Sequence, residues 1–201
     1  MTARTSFARA VRIALPLALI APLAACGVNT IPAKEETAKA RWADVESAYQ
    51  RRADLIPNLV ATVKGYAKQE KDVLVEVTNA RARATSITVD PTKLSDPAAV
   101  ANFDQAQTAL SGSLGRLLVS VEKYPDLKSN EQFLNLQSQI EGTENRINVT
   151  RKDYNEAVRD YNTEIRTFPS VIGAKVIYGA KPLQPFKATS PGAANAPTVA
   201  F

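Results

Sequence analysis

Histidine is absent from this 201-residue chain, and cysteine, methionine and tryptophan each occur once. Without histidine, Ser-His-Asp and Cys-His catalysis are excluded, and zinc and non-haem iron lose their commonest ligand. A single cysteine has no disulfide partner in the chain. Acids are missing from the first 25 positions, which hold Arg4, Arg9 and Arg12 but none of the 20 acidic residues. The net charge of +5 therefore belongs mostly to that segment, and the rest carries 22 basic against 20 acidic residues, or +2. A nucleic-acid partner is not expected on the strength of the basic pI.

What the first segment does have is a basic start, then an apolar stretch from Ile13 to Ala25. As a helix it would cover about 20 Å, short of the roughly 30 Å hydrocarbon core of a bilayer. Pro16 and Pro22 make it a poorer span still. This is the pattern of a signal-peptide core. It ends in Leu23-Ala24-Ala25-Cys26-Gly27, which resembles the lipobox of bacterial lipoproteins. That resemblance implies cleavage before Cys26, with a diacylglyceryl thioether and an N-acyl chain such as palmitate on the new N-terminus. Two or three chains anchor durably where one binds marginally. The expected location is the periplasmic or extracytoplasmic side of a membrane. Gly27 in place of aspartate makes the outer membrane possible in a diderm organism.

From Ala33 to Phe168 the periodicity is helical. Phe133, Ile140, Ile147, Tyr154, Tyr161 and Phe168 stand seven residues apart, with Leu136, Ala157, Val158 and Ile165 beside them. That is the seam of a long helix in a coiled coil or bundle, starting after Ser129 or Asn130 and stopping before Pro169. Phe103, Gln107, Leu110, Leu114, Leu117, Val121 and Tyr124 mark the preceding helix, opened by Asp96-Pro97. The short Pro125-Asp126-Leu127 connection predicts an antiparallel pair. In the N-terminal half, Trp42, Val45, Tyr49, Arg52, Ile56, Leu59, Val63, Tyr66, Glu70, Val73 and Val77 keep one phase. Phase alone fits a single helix, whereas Pro57 predicts a kink and Gly65 a break. A kinked rod and a hairpin both remain open on these residues.

Several stretches together are similar to the LemA family: Trp42-Ala-Asp-Val-Glu46, Tyr49-Gln-Arg-Arg-Ala-Asp-Leu-Ile-Pro-Asn-Leu-Val60, and Val63-Lys-Gly-Tyr-Ala67. Further on come Tyr124-Pro-Asp-Leu-Lys128, Phe133, Glu144-Asn-Arg-Ile147, Arg151, Tyr154-Asn155, Tyr161-Asn162 and Phe168-Pro169. The resemblance implies an all-α fold, an antiparallel four-helix bundle with its N-terminus in or on a membrane, and favours the hairpin. It implies no reaction, cofactor or catalytic residue. Many relatives carry a transmembrane helix where this chain has a lipobox. The family also often closes on an aromatic-acid pair, where Phe186 is here followed by Lys187.

The expected organisation is a signal peptide (1–25), a lipid-anchored tether (26–33), a bundle (34–187) and a disordered tail (188–201). Helices are expected over about 34–64, 67–86, 97–124 and 130–168, followed by a short apolar segment. Glu141-x-x-Glu144 resembles half of a di-iron site, but those sites need a histidine, so a solvated acidic face paired with Arg146 or Arg151 is expected. Neither a metal nor a cofactor is expected beyond the lipid on Cys26.

Arg51, Arg52, Asp54 and Asn58 form the most distinctive patch and the candidate interaction site. Against that stands a structural role: Arg52 occupies a seam position where an acid such as Glu70 would answer it, and Asp54 could relieve the backbone around Pro57. Asn148, Asn155 and Asn162 repeat beside the seam, and a hydrogen-bonded ladder on the helix border accounts for them. Thr198-Val-Ala-Phe201 is an apolar chain end of the kind that peptide-binding domains capture.

Two functions are expected, neither catalytic in this chain. One is a membrane-anchored scaffold that binds other envelope proteins. The other is an accessory factor presenting substrate to an envelope protease or peptidoglycan enzyme.

Overall fold

A computed structural model describes residues 3–187, with side chains described from residue 29 onward. It is all-helical, without a strand among the described residues. Helix α1 (Ala3–Tyr66) is followed by α2 (Lys71–Ser86), α3 (Pro97–Val121), a single turn α4 (Pro125–Lys128), α5 (Glu131–Glu164) and a short α6 (Ser170–Gly173). A π-helical turn, Ala174–Tyr178, leads into an extended segment that runs to residue 187. The tail expected over 188–201, with its Phe201 terminus, lies outside the described residues.

The N-terminal half is a hairpin. Helix α1 ends at Tyr66, Ala67 is buried in the turn, and α2 runs back along α1. Pro57 does not stop α1. Its ring leaves the carbonyl of Ala53, four residues earlier, without an amide donor. Arg81 of α2 supplies one instead, its Nε donating to Ala53 O at 2.8 Å. Asp54, expected in that relieving role, accepts from Gln50 Nε2 at 2.7 Å.

The helix starts follow from local chemistry. Asp96 caps α3 by accepting from the amide of Ala98 at 2.9 Å, with Pro97 at the first position. Asn130 caps α5 by accepting from the amide of Phe133 at 3.0 Å.

Three expectations need correction. The stretch expected as a tether, 26–33, falls within α1, where Ile31 is buried and Thr30 bonds to α5. Helix α5 stops at Glu164 rather than 168, so the last seam residue, Phe168, is 79% exposed. Tyr66 and Glu70 fall where α1 gives way to the turn: Tyr66 is exposed, and Glu70 accepts from the Tyr124 hydroxyl at 3.1 Å instead of answering Arg52.

The interior divides into two. One cluster joins Trp42, Tyr49, Phe103, Tyr154, Tyr161 and Phe186. The other joins Ile56, Leu59, Val63, Leu74, Val77, Leu110, Leu114, Leu117, Phe133 and Ile140. Helix α2 lines only the second. Beside the first, the chain leaves α2 extended at Ile87, buries Val89, and makes one 3-10 turn (Pro91–Lys93) before the buried Leu94 and the start of α3. An extended chain climbs about 3.3 Å per residue against 1.5 Å in a helix, so a few residues cover the remaining height.

Candidate functional site

Between the two clusters lies a polar layer centred on Arg52, which is fully buried. Its Nη1 donates to Glu144 Oε1 of α5 at 2.6 Å and to Ser111 Oγ of α3 at 2.5 Å. Its Nη2 donates to the side-chain and main-chain oxygens of Gln107 at 2.9 and 3.2 Å. Gln107 in turn donates to Ala84 O at the end of α2, at 3.1 Å. One guanidinium thus ties α1 to α3 and α5 directly, and to α2 through Gln107. Its planar fork of donors suits this better than a lysine would. Arg52 is thus turned into the core, where its seam position placed it, and its acid is Glu144.

A second arginine, Arg151, does the same work from α5. It ion-pairs with Asp104 of α3 at 2.9 Å and donates to the Tyr49 hydroxyl of α1 at 3.1 Å. Its Nη2 reaches the carbonyl of Lys187 at 3.2 Å, and its guanidinium lies 4.4 Å from the centre of the Phe186 ring. Burial pushes the Tyr49 phenol up, partly offset by Arg151 and Arg52. Burial also raises the Tyr154 phenol. The acidic pair of α5 is divided: Glu144 answers Arg52, and Glu141 accepts from Gln137. No group of three or more potential metal-binding side chains occurs among the described residues.

The asparagine row reads main chain. Asn155 accepts from the amide of Phe186 at 2.8 Å and donates to its carbonyl at 3.0 Å. Asn162 repeats this with Leu183, at 2.8 and 2.9 Å. Seven helical residues rise about 10.5 Å, and three extended residues span about 10 Å, so the two spacings match. The segment 179–187 is thereby strapped along α5. Tyr154 adds a bond to the Gln184 carbonyl at 3.0 Å, and the Gln184 amide donates to Leu94 O at 2.9 Å. Phe186 stacks on Trp42 with centroids 5.4 Å apart. Asn148, the third of the row, is exposed.

The outward members of the distinctive patch have a different setting. Arg51 and Asp54 are exposed and line an open groove of about 670 Å³ between α1 and α5. Gln50, Gln139, Thr143 and Arg146 complete its polar wall. Asn58 is exposed on α1 but does not line the groove. A second groove, of about 440 Å³, lies where α1 turns into α2, with Lys64, Lys68 and Lys71 around Val60, Leu74 and Val75. Sequence reasoning missed this one, because its walls come from two helices whose relative rotation no periodicity states. Cys26 falls within the span of α1, but its side chain lies outside those described.

The LemA family's sequence profile matches residues 41–201, well over half of the chain. The chain belongs to the LemA family. No curated protein matches it. Within the matched range, Arg52 and the α5 residues Glu144, Arg151, Asn155 and Asn162 hold this LemA-family bundle together. Arg52, Glu144 and Arg151 form its helix ties, Arg81 adds one at the Ala53 carbonyl that Pro57 leaves open, and the two asparagines hold its strap.

Proposed function

We propose that this LemA-family chain is a membrane-anchored, non-enzymatic helical scaffold of the bacterial cell envelope, carried by acyl chains on Cys26 and binding other proteins. The observation that carries the reading is how the polar residues are spent. Those turned inward, Arg52, Gln107, Glu144, Arg151, Asn155 and Asn162, are engaged in joining helices and strap. Those left facing outward, Arg51, Asp54 and Arg146, border an open groove. Arginine suits recognition of carboxylates on a partner protein. The signal-peptide pattern and the lipobox support the anchor.

Two measurements test the reading. Mass spectrometry of the mature N-terminal peptide should find an acylated cysteine, and Cys26→Ser should leave an unprocessed or unlipidated chain. A Cys26→Ser chain that still fractionates as a processed, acylated membrane protein sinks the anchor. Photocross-linkers at Gln50 and Gln139 should capture the same envelope protein, and Arg51→Glu with Asp54→Lys should abolish that capture. Capture unaffected by the charge reversal removes the groove from the proposal.

A further inference from the structure

One stretch of the surface breaks the rule that apolar side chains face inward. Between residues 168 and 178, Phe168, Ile172, Val176, Ile177 and Tyr178 are all exposed, Phe168 and Val176 each by 79%. Elsewhere the exposed large apolar side chains are spread over four helices: Tyr66 on α1, Val75 on α2, Val119 on α3, Leu134 and Val149 on α5. Single exposed apolar residues are ordinary, whereas a contiguous group marks a surface that meets something other than water.

The position of the group narrows what that is. The carboxylate of Glu164 accepts from Ser170 Oγ at 2.5 Å and from Thr30 Oγ1 at 2.7 Å, both on Oε1, and from Lys34 Nζ at 2.9 Å. Residue 170 is thus fastened beside residue 30. Cys26 precedes Thr30 by four residues, about 6 Å of helix, and the apolar stretch Ile13–Ala25 lies directly upstream. The exposed knob stands at the end of the bundle where α1 comes from that stretch. Its charge points the same way. Residues 165–187 contain Arg166, Lys175, Lys181 and Lys187, all exposed, and no acid. An apolar centre with an all-basic rim suits an anionic lipid leaflet.

We propose that residues 168–178 are a membrane-seating knob. Phe168, Ile172, Val176 and Ile177 enter the boundary between headgroups and acyl chains, while Arg166, Lys175 and Lys181 meet lipid phosphates. The knob gives the bundle a second point of attachment beside its N-terminal anchor, which fixes its tilt and turns a defined face outward. Gly179, at φ +55, ends the knob and sends the chain back along α5 as the strap, so the knob is braced from both sides. The proposal rests on the anchored reading for its setting.

The test uses the full chain with vesicles containing phosphatidylglycerol whose acyl chains are brominated, which quench tryptophan only on contact. Trp42, the sole native tryptophan, is buried in the bundle, so wild-type emission should be the same in brominated and plain vesicles. Val176→Trp should lose most of its added emission in the brominated vesicles, and Val149→Trp on α5 should lose none. Val176→Trp emission unaffected by bromine in a chain that still fractionates with membranes overturns the knob and leaves the anchor standing. Quenching of Val176→Trp, but not of Val149→Trp, on adding vesicles to an unlipidated Cys26→Ser chain supports the knob even if the native chain proves unanchored. Unquenched emission that shifts to the blue with protein concentration means that a second copy covers the patch, and also overturns the knob.

Discussion

The two halves of the bundle reach closure by different means. Around Leu59, Leu74, Leu114 and Ile140 the interior is mainly aliphatic and closed by four helices in the ordinary way of a heptad bundle. Around Trp42 it is aromatic, and three helices are completed by chain outside the long helices: residues 87–94, which include the 3-10 turn Pro91–Lys93, on one side and the strap 179–187 on the other. Trp42 meets Phe103, Tyr154 and Phe186 with ring centroids 5.2 to 5.4 Å apart. The aliphatic half needs only apolar periodicity. In the aromatic half the strap's backbone needs partners from outside itself, and the asparagines, Tyr154, Arg151 and Leu94 O supply them at Leu183, Gln184, Phe186 and Lys187. The Arg52 layer separates the two.

That contrast can be broken most severely at its boundary. Arg52→Ala leaves Gln107 and Glu144 without their donor and opens a cavity, so it should cost about 3 kcal/mol or more. Chemical denaturation should show the loss, and Arg52→Met should recover part of it. A variant as stable as wild type would mean that the layer holds nothing together.

Next comes the strap. Asn155→Ala with Asn162→Ala deprives two amides and two carbonyls of their partners and should cost about 2 kcal/mol for a partly solvated site. Hydrogen exchange should then accelerate at Leu183 and Phe186, with protection retained at Leu59 and Leu114. Equal acceleration in both halves would show that they unfold as one unit.

A smaller effect sharpens the comparison within the helical half. Arg81→Met should cost about 1 to 2 kcal/mol, the worth of a charged donor to a buried carbonyl. In a Pro57→Ala background, where residue 57 regains its amide, the same change should cost close to nothing. An equal cost in both backgrounds would sever the link between Arg81 and the proline.

The smallest effect belongs to the clasp at the open end of the aromatic half. Ser170, then Lys34 and Thr30, hold the Glu164 carboxyl down to about 2 from its usual 4.5. A depressed carboxyl contributes stability above its unfolded pKa and loses it as pH falls through the folded value. Wild-type melting temperature should therefore decline more steeply than that of Glu164→Gln between pH 4.5 and 2. Parallel curves would show that the carboxylate is not held.

The sequence by itself determined the helices and their buried faces. Heptad spacing from Phe133 to Tyr161, the 4/3 phase from Trp42 to Val63, and the caps at Asp96 and Asn130 are local signals, and the structure follows them. The same spacing put Arg52 in the seam and the asparagines on its border. What it could not state is which residue each would meet, because Glu144 lies 92 positions from Arg52 and Phe186 lies 31 from Asn155. Phase continues through a turn as readily as through a helix, so Tyr66 and Glu70 read as seam although α1 ends at the first and the second lies in the turn. Pro57 could not disclose its remedy, because Arg81 stands on another helix. Only tertiary packing decided these points: a buried polar group is satisfied by whatever the fold brings alongside it, and that depends on the rotation of helices about one another.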